Sequence, residues 1–292
     1  MHTKKTYPLY FLLLPIAIYA ALYFAPSLFS FYYAMTDWNT FSDKMNFVGF
    51  RNYRQIFAGV NRGHMVSLWN TITFAAATTA LKNVLGLLLA LALNSKIRSR
   101  NILRTVFYAP VTLSALVVGL IFSAVYHPDY GLLNSLLSPL FPGIDHPWLV
   151  DRNTAMGSVI MVEVWKSTGF NMIIYLAGLQ TIPAMYYEAA TIDGASRSRM
   201  FWHITFPLIM PAISINLVLN LINGFKVFDL VFILTRGGPG NLTQVLNTSV
   251  FQEFSSGRYG QATAFGVVLL VITGVVALSA LKLFSRGGEV EA

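Results

Sequence analysis

No cysteine occurs in the 292 residues, which removes disulfides, thiolate nucleophiles and cysteine-ligated metals at once. Charge is scarce as well. Only 11% of residues are charged while 55% are hydrophobic, more apolar surface than a water-soluble globule of this size keeps out of water. The chain therefore belongs in a bilayer. Acids are outnumbered 12 to 20 by bases, giving a net charge of +8, yet no basic run is interleaved with aromatics, and nucleic-acid binding is excluded on that ground. No Gly-x-x-x-x-Gly-Lys-[Ser/Thr] loop is present to cradle nucleotide phosphates, so any ATP chemistry must reside on another polypeptide. The five histidines, His2, His64, His127, His146 and His203, lack the His-x-x-x-His or His-acid spacing within a span that metal or proton-relay chemistry needs.

What is present is a series of long apolar stretches. A lipid-crossing helix needs about 20 mostly apolar residues, and six windows qualify: 10–35, 68–93, 105–126, 155–179, 204–234 and 262–284. The first is too long for a signal-peptide core and is kept as a span. The chain reads as one all-α transmembrane domain over 1–292. Pro15, Pro26, Pro110 and Pro211 predict kinks, and Gly86, Gly119, Gly266 and Gly274 predict close helix packing. Trp38, Trp69, Tyr126 and Trp148 are placed to anchor the outer interface.

Orientation follows from Lys and Arg. With the N-terminus inside, Lys4, Lys5, Lys96, Arg98, Arg100, Arg104, Arg197, Arg199, Lys282 and Arg286 are internal. Lys44, Arg51, Arg54, Arg62, Arg152, Arg236 and Arg258 are external, ten against seven. The short segment Ser95–Arg104 decides the matter, because it carries four bases and no acid. Both termini are expected in the cytoplasm, with the polar interruption between the fourth and fifth windows.

That interruption, Tyr187-Glu188-Ala189-Ala190-Thr191-Ile192-Asp193-Gly194-Ala195, predicts a short helix over 184–194. Pro183 suits a first turn, Glu188 suits the helix dipole, Ala189 and Ala190 offer a smooth face, and Gly194 ends the helix. Within the neighbouring windows polar residues are costly and mark function or helix pairing. The fourth holds Glu163, Lys166, Ser167 and Asn171; the fifth holds Asn216, Asn220, Asn223, Lys226 and Asp229. Asn216, Asn220 and Asn223 share one helical face, flanked by Phe170 and Phe225, a chemistry suited to sugar hydroxyls and C–H faces. The alternative use of these amides is to join helices. Glu163 is expected to pair with Lys166, and Lys226 with Asp229.

Longer matches surround the short helix. Trp165-Lys166-Ser167-Thr168-Gly169-Phe170-Asn171-Met172, then Leu176 to Pro183, Tyr187 to Ala195 and Ile204-Thr205-Phe206-Pro207 closely resemble the inner-membrane permeases of carbohydrate ABC importers of the maltose type. The Asp-Gly-Ala after Glu-Ala-Ala is similar to the sugar branch; Phe206 stands where the family more often has Leu. Phe47-Val48-Gly49-Phe50-Arg51-Asn52-Tyr53, and Leu234-Thr235-Arg236-Gly237-Gly238-Pro239 with Thr243, resemble the first, maltose-F-like subunit of the permease pair.

The resemblance implies a Type I importer permease with six spans and a coupling helix, through which Glu188, Ala189, Ala190, Asp193 and Gly194 engage a cytoplasmic ATPase. It implies as partners a second, maltose-G-like permease, two copies of that ATPase carrying ATP and Mg, a solute-binding protein outside, and a carbohydrate. No cofactor is expected on this chain itself. Carried over residue by residue, the substrate path falls on Lys166, Ser167, Phe170, Asn220, Asn223, Gly224 and Val227; Gly224 and Val227 stand where larger polar residues are usual. Transport of another polar solute, such as a polyol phosphate or an amino acid, is the runner-up. A membrane-embedded enzyme would need paired carboxylates, or a nucleophile with its base, facing a wet cavity. A passive channel would need pore-lining rings and no docking helix.

Overall fold

The computed structural model describes residues 9–58, 62–95 and 97–285; His2, Lys4, Lys5, Lys96 and Arg286 lie outside the described residues. Regular structure there is helical, apart from one isolated bridge between Thr36 and Phe47. The helices begin with α1 (Leu13–Tyr33), α2 (Arg51–Phe57), α3 (Arg62–Asn94), α4 (Arg100–Thr112), α5 (Ala115–Val125) and α6 (Leu132–Leu137). They continue with α7 (Ala155–Gln180), α8 (Ala184–Ile192), α9 (Arg197–Leu208) and α10 (Met210–Phe225). The last are α11 (Asp229–Leu234), α12 (Leu246–Ser255) and α13 (Tyr259–Ser285).

By length and composition α1, α3 and α13 can each cross a membrane, and up to five crossings result if each bent pair counts as one. The bent pairs are α4 with α5, at 98°, and α9 with α10, at 64°. The expected windows 105–126 and 204–234 are therefore not single helices. Between α4 and α5, Leu113 and Ser114 turn extended, and the Ser114 side chain caps α5 by accepting from the Val117 amide. Between α9 and α10, Pro207 and Pro211 lie four residues apart and remove two amide donors from the same stretch. Pro211 falls in the first turn of α10, where a missing donor costs nothing. A further break at Lys226–Phe228 separates α10 from α11. α7 has the length to cross, about 39 Å at 1.5 Å per residue, but falls short on apolarity because Glu163, Lys166 and Asn171 lie in its middle.

The chain divides into two compact units, residues 1–65 with 249–270 and residues 66–248 with 271–292. In the first, Phe47–Tyr53 closes a turn onto the end of α1. Asn52, buried, donates its amide to the carbonyls of Ala34 (2.9 Å) and Thr36 (2.8 Å), and the Val48 amide donates to Met35 (2.8 Å). Trp38 lies between the rings of Tyr33 and Tyr259, with centroids 4.8 and 4.9 Å away. It is thus part of the packing of this unit.

The second unit has two apolar clusters. One joins Phe74, Val118, Val159, Val162, Val231 and Val245; the other joins Ala90, Leu93, Met172, Tyr175, Leu179 and Ile209. Tyr126 belongs to the first cluster, and the Trp148 indole donates to Asn134 (2.7 Å), so neither is a free interface anchor; Trp69 remains 62% exposed. Gly86 and Gly119 are true close-packing points, since a methyl at Gly86 would meet the Asn171 Cβ at 2.7 Å and one at Gly119 would strike Ile233. Gly266 and Gly274, read the same way from sequence, have open space instead.

Candidate functional site

The polar interruption folds as its residues dictate. Pro183, with extended backbone, is the N-cap residue of α8. At the other end Gly194 takes φ +70°, a conformation that an L side chain resists. The Gly194 amide donates to Thr191 (3.1 Å) and the Ala195 amide to Ala190 (2.9 Å), the paired closure of a Schellman motif. One residue later Ser196 caps α9 by accepting from the Arg199 amide. The chain thus reverses within a few residues, and the Tyr187 hydroxyl bonds the Thr205 hydroxyl (2.9 Å) to fix α8 against α9.

Fixed at its ends, α8 leaves its chemistry open. Glu188, Ala189, Asp193 and Gly194 are exposed and Ala190 is half-buried. Met185, Tyr186 and Ile192 are exposed too, Ile192 at 86%. Large apolar side chains on a helix that carries a carboxylate and is followed by Arg197 and Arg199 fit a protein surface better than lipid tails.

α7 contrasts with it. Lys82 on α3, almost fully buried, donates to Glu163 (3.1 Å), and the Ser167 hydroxyl donates to the same carboxylate oxygen (2.9 Å). Glu163 therefore does not pair with Lys166, as helical spacing suggested. Nor does an ion pair join Lys226 to Asp229 among the described residues. Further along, the Tyr175 hydroxyl donates to Asn83 (2.5 Å). Asn220 donates to the Asn171 side chain (3.0 Å), and Asn216 donates to the Asn171 carbonyl (3.3 Å). α7 is thereby bound through polar groups to α3 and to α10.

The residues assigned to a substrate path fall into two sets. Lys166 is half-buried, Phe170 is 39% exposed and Asn223 is exposed. Ser167, Asn220, Gly224 and Val227 are engaged in the protein: Ser167 and Asn220 through the bonds above, Val227 against the first apolar cluster. A methyl on Gly224 would meet the Ala75 Cα at 2.7 Å, so this glycine lets α10 approach α3. Asn216, Asn220 and Asn223 do not act as one stripe, since the first two are buried and the third is not.

The Gly-Gly-Pro motif read from the sequence gains its ties only in the fold, and a second polar group left no sequence signal. After α11, the Thr235 and Thr243 hydroxyls meet at 2.6 Å, and Thr243 also donates to the Gly238 carbonyl (2.9 Å), so the Gly-Gly-Pro segment is a tied loop. In the first unit Glu253 is buried beside His64 (3.7 Å) and Arg258. Burial pushes the Glu253 carboxyl up, but hydrogen bonds from His64 and Arg258, with the charge of both, hold it below its ordinary value. Their sequence separation, 64 against 253, left no local signal.

Comparison with known proteins gives this arrangement its context. Residues 82–287 match the family model described as the binding-protein-dependent transport system inner membrane component. The chain is 34% identical over 286 residues to a probable ABC transporter permease, YurN, of Bacillus subtilis, covering 96% of this chain and 97% of that one. It is 33% identical over 277 residues to MsmF of Streptococcus mutans, a multiple sugar-binding transport system permease, covering 94% of each. Among solved structures, a chain of a bacterial alginate ABC transporter, in complex with an alginate pentasaccharide-bound periplasmic protein, superposes with a TM-score of 0.83. The identity is 26%, covering 96% of this chain and 95% of that one. An all-helical chain with several membrane-crossing candidates, a capped and exposed helix before α9 and full-length relatives of this kind belongs to the family of inner-membrane permease components of binding-protein-dependent ABC importers.

Proposed function

We propose that this permease carries a mono- or oligosaccharide into the cytoplasm by alternating access, as one half of a heterodimeric pair. The sugar assignment is supported by the multiple-sugar permease of Streptococcus mutans and by the alginate importer, each similar to this chain along nearly its whole length. Six crossings are proposed, formed by α1, α3, α4 with α5, α7, α9 with α10, and α13, with both termini in the cytoplasm. α8 is the coupling helix. ATP and Mg act on a separate ATPase dimer whose surface receives Glu188, Ala189, Ala190, Asp193 and Gly194.

The observation that carries the reading is the exposed apolar face of α8, held at both ends and continuous with α9. A surface patch moved by a partner transmits motion only if its ends are fixed to the spans it must move. Tyr187 with Thr205 at one side and the Gly194 corner at the other supply this. ATP and loaded binding protein must each favour the outward state, because a ligand shifts an equilibrium only by its differential affinity. Along the path, Lys166, Phe170 and Asn223 are the side chains open to a solute, with Ser167, Asn220, Gly224 and Val227 setting their support.

The test is reconstitution with the second permease, the ATPase and the binding protein in proteoliposomes. Glu188→Arg and Gly194→Arg are expected to insert normally and to lose sugar-stimulated ATP hydrolysis and uptake together. Full coupled uptake by Gly194→Arg overturns the role of α8. Uptake of amino acids or polyol phosphates with no sugar among the substrates overturns the sugar assignment.

A further inference from the structure

Bases gather in one stretch of the second unit. Residues 95–104 carry Lys96, Arg98, Arg100 and Arg104 and no acid. Arg104 is used inside the protein, where its Nη2 atom donates to the Leu93 carbonyl (3.0 Å) at the end of α3. Arg98 and Arg100 are exposed, and neither forms an ion pair among the described residues. The Arg100 amide donates to the Ile97 carbonyl (3.2 Å), closing a turn that presents the two guanidiniums from positions no more than about 7 Å apart along the chain.

α4 continues from this turn as a two-faced helix. At helical spacing Arg100, Asn101, Arg104 and Thr105 fall on one side, and Ile102, Leu103, Val106 and Phe107 on the other. Leu103 packs into the cluster that holds Leu93 and Leu179, near the ends of α3 and α7. Phe107 lies deeper, because its carbonyl stands where a methyl on Gly169, in the middle of α7, would strike. Ile102 and Val106, one turn apart, are 69% and 58% exposed. They form an apolar ridge that descends from the level of the guanidiniums to the middle of a proposed crossing, about 10 Å over seven residues. What covers this surface must serve both its ends. A soluble protein can meet Arg98 and Arg100 but not side chains sunk beside α7, and an apolar helix can cover the ridge but leaves two guanidiniums without an anion. A phospholipid does both, since its phosphate accepts from guanidiniums while an acyl chain follows the ridge. A zwitterionic headgroup would bring an ammonium to a site that already holds two bases, so the charge favours an anionic lipid.

We infer that the start of α4 binds an anionic phospholipid, with the headgroup on Arg98 and Arg100 and one acyl chain along Ile102 and Val106. The inference rests on the orientation proposed above, which puts this end of α4 at the cytoplasmic leaflet. The bases after α8 differ, since Arg197 and Arg199 follow Glu188 and Asp193 within a few residues.

Because the chain has no cysteine, Val106→Cys takes a single bimane label in the complete importer, with partner subunits freed of cysteine, in phosphatidylcholine liposomes. Quenching by phosphatidylglycerol with brominated acyl chains is compared with quenching by brominated phosphatidylcholine. The label is expected to prefer phosphatidylglycerol by about fivefold per base at low salt, and less as salt rises. Arg98→Gln together with Arg100→Gln should abolish the preference, while Arg197→Gln together with Arg199→Gln should leave it unchanged; melting temperatures confirm that each variant folds. Equal quenching by the two lipids, a preference that survives the loss of Arg98 and Arg100, or no quenching by either lipid overturns the site. If the Arg98 and Arg100 variant instead sheds the ATPase in liposomes of phosphatidylcholine alone, the bases contact protein and the inference also fails. Sugar uptake is scored separately in the same liposomes. Uptake without a lipid preference overturns the lipid site and leaves the transport assignment standing, whereas a lipid preference without sugar uptake supports the site and refutes that assignment. Labelling of Arg98→Cys by an impermeant thiol reagent added outside overturns the orientation, and the inference with it.

Discussion

α7 and α8 are consecutive helices that use their polar residues in opposite directions. α7 turns Glu163, Asn171 and Tyr175 toward α3 and α10, where each finds a partner, while Ser167 bonds Glu163 within α7 itself. α8 leaves Glu188, Ala189 and Asp193 exposed with Ile192, and meets α9 through the Tyr187 hydroxyl on Thr205. The difference separates polar residues that hold the helices together from exposed ones that, in the proposed coupling role, would meet another protein. Burial alone would rank them the other way, since the buried groups look expensive and therefore functional.

Three substitutions probe this contrast, in descending order of effect. The largest loss is expected from Lys82→Met, which leaves the Glu163 carboxyl with the Ser167 hydroxyl alone; removal of one member of a buried pair costs about 3–5 kcal/mol. Melting temperature in nanodiscs reads the change, and Lys82→Met with Glu163→Gln should recover most of it. If the single variant melts no lower than the double one, the pair is not structural. Next comes Gly194→Ala, about 1–2 kcal/mol of local strain at a positive φ, read as faster amide hydrogen exchange in α8 with a drop in stimulated ATP hydrolysis. Equal loss of exchange protection across α7 would erase the distinction between the two helices. The smallest is Asn220→Ala, about 0.6 kcal/mol, the average for a hydrogen bond between membrane helices. A larger effect on sugar affinity than on melting would move Asn220 from the holding set to the open one.

The same contrast explains what was legible in the sequence. α8 was readable because its signals are local: Pro183 before the first turn, Gly194 where the backbone must go left-handed, and Ser196 as the next cap all act within a few positions. The expected bounds of 184–194 and the observed helix Ala184–Ile192 differ only by the Asp193–Gly194 corner. α7 was readable as a helix, 155–179 against Ala155–Gln180, but its partners were not. Spacing along one helix favoured Lys166 for Glu163, a contact worth only about 0.2–0.5 kcal/mol. Lys82, 81 positions away and nearly without solvent, brings its ammonium within 3.1 Å of that carboxylate, and because a buried charge left without its partner is costly this pairing prevails.

Glycines show the limit in another form. Nothing in an apolar stretch distinguishes Gly86, which admits Asn171, from Gly266, which admits nothing. The broken crossings were half legible. Prolines announced a disturbance near 110 and 211, while the 98° turn itself depends on Ser114 capping a new helix, which hydropathy does not register.

α1 carries a consequence for the pairing of the subunit. Among the described residues none in its most apolar stretch is fully buried, so most of this helix surface is left for acyl chains or a foreign helix. In the proposed pairing with a second permease, this bare face is where a helix of the partner would lie, and without one it is left to acyl chains along its length.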